Sequence, residues 1–198
     1  MSSGEDRPTQ PRPAEQVRVL IVDDNRSFTD LLSAALDTVD GVDCIGTAAS
    51  AAEGFRQVAE LAPSVVVMDI MMPGLDGLAA TRELRQISPG TAVAVVSAHS
   101  EGEWIARAED AGASAYIPKG GSLDEMIEVL KTARPGPMMV SASLRPTWSS
   151  WSRPGSEPVV QAAERPSRLS ARVRQAALQL TRRADAARRA RQPKLFDL

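Results

Sequence analysis

Five short apolar runs, each followed by an amphipathic stretch, constrain this 198-residue chain more than any other feature. The runs are Val17–Val22, Val42–Thr47, Ser64–Met68, Ala92–Val96 and Ala113–Ile117. Near-continuous Val and Ile, rather than strict alternation with polar residues, fits strands covered on both faces, as in a parallel sheet. The stretches between them predict helices over Ser27–Thr38, Ser50–Leu61, Leu75–Ile87, Glu101–Ala111 and Ser122–Thr132. Ser27, Ser50 and Ser122 stand where N-caps belong, and Ser122-Leu123-Asp124-Glu125 has capping-box spacing. Gly112 and Pro89-Gly90 stand where helices should stop. Five strand–helix units in a row predict an α/β domain with a doubly wound, five-stranded parallel sheet.

The ends of these strands carry acids. Asp23 and Asp24 close the first run and Asp69 closes the third, where a core-filling role makes no sense for a carboxylate. In a flavodoxin-like strand order 2-1-3-4-5, strands 1 and 3 are neighbours at the switch point where such sheets bind ligands. Three carboxylates brought together there raise one another's pKa unless a cation intervenes. An all-oxygen donor set suits a hard ion such as Mg2+. Strand 4 runs into Ser97 and strand 5 into Lys119, so a hydroxyl and an ammonium reach the same edge. That set fits phosphoryl transfer to a carboxylate: Asp69 attacks, while Ser97 and Lys119 hold phosphoryl oxygens. Asp76, between Pro73-Gly74 and Gly77, reads as part of a turn leading into helix 3.

At these residues the chain resembles the receiver domain of two-component response regulators, most like receivers of helix-turn-helix transcriptional regulators. The resemblance covers roughly residues 16–133. It rests on Val22-Asp23-Asp24, on Asp69 followed by Met72-Pro73-Gly74-Leu75-Asp76-Gly77, on Val96-Ser97-Ala98 and on Tyr116-Ile117-Pro118-Lys119. It implies that Asp69 accepts a phosphoryl group from a sensor histidine kinase or phosphotransfer protein. It also implies Mg2+ held by Asp24, Asp69 and the Met71 backbone carbonyl, with Asp23 acting through water. Ser97 would be the switch hydroxyl and Tyr116 an aromatic that turns inward on activation. Homodimerisation through the helix 4–strand 5–helix 5 face is a further implication.

The chain departs from the receiver pattern after Lys119, where Gly120-Gly121 stands in place of the usual Pro. A cis bond there would cost about 2.5–4 kcal/mol without proline. Met71 and His99 lie two residues beyond Asp69 and Ser97, where receiver side chains govern the access of water to the acyl phosphate. A thioether cannot orient water, so the phosphoryl group should last minutes or longer. The protein is expected to be a phosphoacceptor switch with Mg2+-assisted chemistry on itself, not an enzyme. An aspartyl-nucleophile phosphatase would need a second acid two positions after the nucleophile, and Met71 and Arg26 occupy those places.

Charge divides the chain in two. Residues 1–132 hold 10 Lys and Arg against 21 Asp and Glu, whereas residues 133–198 hold 13 against 4. The polar, Pro-rich residues 1–15 read as a disordered arm. The six Pro and six Ser of residues 133–166 read as an extended linker, interrupted by Trp148 and Trp151. Residues 167–198 read as a basic Ala/Arg-rich helix and tail, with a thin apolar stripe that needs a partner. Arg182, Arg183, Arg188, Arg189 and Arg191 admit contact with nucleic acid, as in a phosphorylation-controlled DNA-binding transcription regulator. They equally admit a protein partner, docking back on the acidic domain, or a degenerate output domain. Residues 134–198 contain no Ile, too little core for a helix-turn-helix. Cys44, alone, excludes an internal disulfide and reads as a small buried apolar residue. Lone His99 excludes a His/Cys metal cluster. The longest apolar runs fall short of a membrane span, which predicts a cytoplasmic protein.

Overall fold

Each of the five apolar runs forms a strand: β1 Val17–Val22, β2 Val42–Ala48, β3 Val65–Asp69, β4 Ala92–Ser97 and β5 Ala115–Pro118. The structure is a computed structural model and describes residues 16–151. Between the strands lie α1 Arg26–Leu36, α2 Ala51–Leu61, α3 Gly77–Ile87, α4 Gly102–Asp110 and α5 Leu123–Thr132. All pairings are parallel. The sheet order is β2-β1-β3-β4-β5-β6, so the expected order holds and the expected count does not: a sixth strand, β6 Met139–Val140, extends the sheet.

Alternation along the strands divides the core between the two faces. Val19, Ile21, Val65 and Val67 pack with Phe28, Leu32 and Leu36 of α1 and Ile127 and Leu130 of α5. Leu20, Val22, Val66 and Met68 face Val58 of α2 and Ala80 and Leu84 of α3. Every residue of β3 and β4 is buried, as central strands covered on both sides must be. Cys44, a free thiol, is half-buried and packs against the first of these clusters.

Local capping sets where the helices begin. Ser50 and Ser122 are N-caps as expected, accepting from the backbone N–H of Glu53 and Glu125. The cap of α1 is Asn25 rather than Ser27. Asp76 caps α3, accepting from Leu78 and Ala79 N–H at 2.8 and 2.9 Å. Gly112 ends α4 with φ +82°, a conformation that favours glycine.

The stretch expected to be an extended linker is folded over its first part. After α5 the chain enters β6, makes a 3-10 turn at Ala142–Leu144 and forms a seventh helix-like segment, α6 Arg145–Trp151. Trp148 is 2% exposed and packs with Ile105, Ala108, Tyr116, Val140 and Leu144. Burying an indole removes on the order of 200 Å2 of apolar surface, worth about 5 kcal/mol at 25 cal/mol per Å2. That makes Trp148 the main anchor of the seven-residue helix. The arm at 1–15, the rest of the linker and the basic helix from 167 lie outside the described residues.

Candidate functional site

The carboxyl edge of the sheet gathers Asp23, Asp24, Asp69, Ser97 and Lys119 because β1, β3, β4 and β5 lie side by side and all point the same way. Asp69 is the last residue of β3 and Ser97 the last of β4. The backbone N–H of Lys119 donates to Ser97 O at 2.7 Å, which fixes the lysine's origin beside the hydroxyl. Asp23 is held by its own turn, its Oδ1 accepting from Asn25 N–H at 2.9 Å. One carboxylate oxygen each from Asp23, Asp24 and Asp69 falls within 4.8 Å of the others. Asp23 and Asp69 are buried, whereas Asp24 is exposed.

Lys119 bridges two of these acids. Lys119 Nζ lies 2.5 Å from Asp23 Oδ2 and 3.0 Å from Asp69 Oδ1. Its side chain is 2% exposed and runs over the Phe28 ring, with Nζ 4.8 Å from the ring centroid. Burial pushes the Asp23 carboxyl up to about 6, and the Asp69 charge adds to the rise; the Lys119 charge and hydrogen bond oppose it. Three carboxylates thus set hard oxygen donors side by side, a donor set that fits a divalent ion such as Mg2+.

Ser97 is buried, and its Oγ accepts from His99 N–H at 3.0 Å. The Tyr116 hydroxyl donates to the His99 carbonyl at 3.0 Å. The Tyr116 ring is fully buried, in a cluster with Ile105 and Trp148. Burial pushes its phenol up to about 12. His99 stacks on Trp104, with centroids 4.4 Å apart and planes at 18°, and pairs with Glu101 at 3.5 Å. Met71 is half-buried and packs against the Ile70–Leu78 side of the core.

Three features of the site were not read from the sequence. Phe28 forms a wall beside Lys119. Gly77 brings the start of α3 against the end of β3, its N–H donating to Ile70 O at 2.9 Å, where a Cβ would overlap the Asp69 carbonyl. The third is the cover on the neighbouring face: β6 pairs with the outer edge of β5 and α6 packs on α4. A homodimer through a bare helix 4–strand 5–helix 5 face therefore meets this chain's own residues there. Arg182, Arg183, Arg188, Arg189 and Arg191 lie outside the described residues. Among those described, no helix is long and apolar enough to cross a membrane.

A doubly wound parallel sheet with an acidic cluster, a buried lysine and a hydroxyl at its switch point defines a small α/β signalling class. Within it, the chain belongs to the response regulator receiver domain family of two-component systems, whose model matches residues 19–131. It is 35% identical over 128 residues to the response regulator GacA of Pseudomonas viridiflava, covering 65% of this chain and 60% of that protein. To the transcriptional regulatory protein MctR of Rhizobium johnstonii it is 36% identical over 121 residues, covering 61% and 56% respectively. A solved structure of a LuxR-family two-component response regulator from Aurantimonas sp. SI85-9A1 superposes with a TM-score of 0.62 at 27% identity. It covers 68% of this chain and 96% of that one. The chain thus matches about three-fifths of the length of these curated relatives.

Proposed function

We propose that Asp69 accepts a phosphoryl group from the phosphohistidine of a sensor kinase or phosphotransfer protein, and that the phosphorylated domain switches conformation. The observation that carries this reading is Lys119 Nζ, buried and bridging Asp23 and Asp69 beside Ser97. A bridge of this kind holds the Asp69 carboxylate in place and presents a fixed positive charge where phosphoryl oxygens arrive. Ser97 can donate its hydroxyl proton to one of those oxygens while its lone pair still accepts from His99 N–H. Asp24, Asp69 and the Met71 carbonyl would hold Mg2+, with Asp23 acting through water. When bound, the ion neutralises charge on the transferring group. Met71 offers no hydrogen bond to position an attacking water, so the acyl phosphate should be long-lived.

Incubation of the protein with Mg2+ and acetyl phosphate, read by intact mass and peptide mapping, tests this. The expected result is a gain of one phosphoryl group at Asp69 that decays over minutes or longer after the donor is removed. No gain, or labelling elsewhere, would sink the assignment; decay within seconds would remove the role given to Met71.

A second reading assigns transcriptional output to the basic tail, supported by likeness to proteins named as transcriptional regulators. The excess of Arg beyond residue 151 suits phosphate contacts. It predicts binding to duplex DNA that weakens steeply with salt and disappears when residues 152–198 are deleted. Salt-independent binding, or binding retained by the deletion variant, contradicts it.

A further inference from the structure

At the edge of the sheet away from the acids, the ends of α2 and α3 flank a groove of about 520 Å3. Phe55, Val58 and Ala59 of α2 line one side and Ile87 of α3 the other, with Pro63 and Thr91, which lead into β3 and β4, between them. The polar groups between the walls are already satisfied. The Thr91 hydroxyl donates to Pro63 O at 3.0 Å and lies 2.9 Å from Ser88 Oγ. What the side chains of the groove offer a ligand is therefore mainly apolar. Ile87 is 57% exposed, and among the described residues only Leu75 and Trp151 are other large apolar side chains left open to this degree.

The first residues of the chain enter the fold at this edge. β1 begins at Val17 and Val19 pairs with Val65, so the amino ends of β1 and β3 lie one strand spacing apart, about 4.8 Å. Arg18 ties β1 to the rim of the groove: its carbonyl accepts from Ser64 N–H at 2.9 Å and its Nη1 donates to Ala62 O at 2.9 Å. The other end of the described chain, Trp151, lies on Gly102 at the start of α4, on the opposite edge. Residues 1–15, not the basic tail, are thus the segment tethered beside the groove. They include Arg7-Pro8-Thr9-Gln10-Pro11-Arg12-Pro13, with Pro8 and Pro11 three apart. That spacing puts two rings on one face of a polyproline II segment, the form in which proline-rich peptides enter aromatic-lined grooves at small entropic cost. At about 3.1 Å per residue, the stretch from Val17 back to Pro11 spans roughly 19 Å and that to Pro8 roughly 28 Å. Neighbouring helices lie about 10 Å apart, so the prolines can reach between α2 and α3. Glu83, exposed and one turn before Ile87 on α3, offers a carboxylate to Arg7 or Arg12 at the rim.

We propose that the groove between α2 and α3 is the docking site of this chain's own residues Pro8–Pro13, with the rings of Pro8 and Pro11 against Phe55 and Ile87. The tether makes the contact intramolecular. A short linker supplies an effective concentration in the millimolar range, so a contact too weak to hold a free peptide still holds the arm. Seating the arm covers Ile87 and closes the groove to proline-rich segments of other proteins. The groove lies at the edge opposite Asp69 and Ser97, so the inference stands independently of the phosphoacceptor reading.

Amide NMR spectra of the full chain and of a variant lacking residues 2–14 test the docking. The signals of Ala59, Ile87 and Thr91 should differ between the two, whereas those of β5 and of Ser97–Glu101 should coincide. A synthetic peptide of residues 6–14, added to the truncated protein, should move the groove signals back towards their full-chain positions. The double substitution Pro8→Ala and Pro11→Ala keeps the length and charge of the arm and should reproduce the truncated spectrum at those signals. Ile87→Gln, a change at an exposed side chain, should abolish the difference that truncation makes. Groove signals unmoved by truncation, or changes confined to the first residues of β1, overturn the proposal. Wild-type groove signals in the double-alanine variant overturn the part given to the prolines. A difference that disappears on dilution places the arm of a second copy in the groove and overturns intramolecular docking.

Discussion

Asp69→Asn should take up no phosphoryl group from acetyl phosphate and, in the absence of divalent ions, should melt at a higher temperature than wild type. The first effect follows from replacing a carboxylate nucleophile by an amide. The second follows from electrostatics. Asp23 is raised to about 6 by burial first and by the Asp69 charge second. A carboxyl whose folded pKa lies above its ordinary value is penalised when ionised, so it costs stability as pH rises from about 4 towards 6, and the cost is complete above that. Removing the Asp69 charge lets Asp23 ionise more easily and shrinks this cost. Asparagine also leaves an oxygen that can still accept from Lys119. The gain should be on the order of 1 kcal/mol at pH 7.5 in EDTA and should vanish near pH 4. Added Mg2+ should stabilise wild type more than the variant, since it offsets the charge that the substitution has already removed. Thermal melts at the two pH values, with and without the ion, decide the matter. A variant less stable than wild type at pH 7.5 in EDTA contradicts the account. The trade is one that functional sites commonly make, stability given up for a charge arrangement that chemistry needs.

How much of this was legible in the sequence depends on the range over which each cause acts. Strands β1, β3, β4 and β5 were readable because burial on both faces forces runs of Val, Ile and Ala, whereas the edge strand β2, buried only at its two ends, was readable from its place between two helices. The acids were readable for the converse reason: a carboxylate closing such a run has no packing role. Helix starts were readable where a single Ser stood before the helix, as at Ser50 and Ser122, but not at α1. There Asn25 and Ser27 compete within two residues, and the turn that ties Asn25 N–H to Asp23 decides for Asn25. β6 was not readable at all. Two residues have no periodicity, and Met139–Val140 is a strand only because the edge of β5 offers it partners. α6 was hidden by Pro146, which signals a break in most contexts but is tolerated in a first helical turn. Trp148 and Trp151 were the available clue: large apolar residues in an otherwise polar stretch must be buried somewhere. The wall of Phe28 beside Lys119 depends on how α1 lies on the sheet, and no local spacing encodes it.

Gly77→Ala should be the most damaging small substitution in the domain, although it adds one methyl group. The glycine is buried, and a Cβ there would overlap the Asp69 carbonyl and crowd Ile70. These are backbone atoms, so no rotamer change relieves the contact; either α3 moves away from the sheet or the end of β3 does. Overpacking of this kind costs typically 1–3 kcal/mol, and an obstacle made of backbone places Gly77→Ala at about 3 kcal/mol or above. On the proposed function, the displaced residue, Asp69, is the one that attacks. A misplacement of about 1 Å can slow a reaction by roughly 10²-fold, so phosphoryl uptake should fall by that order even in molecules that remain folded. Gly90→Ala is the matched control, since nothing lies within 4 Å of a Cβ at that position and its backbone is not in the left-handed region. It should change stability by less than about 0.5 kcal/mol, as surface substitutions usually do, and leave uptake as in wild type. Chemical denaturation and the rate of mass gain with acetyl phosphate give the two readouts. Wild-type behaviour of Gly77→Ala in both would mean that the close approach of α3 to β3 has no part in placing Asp69.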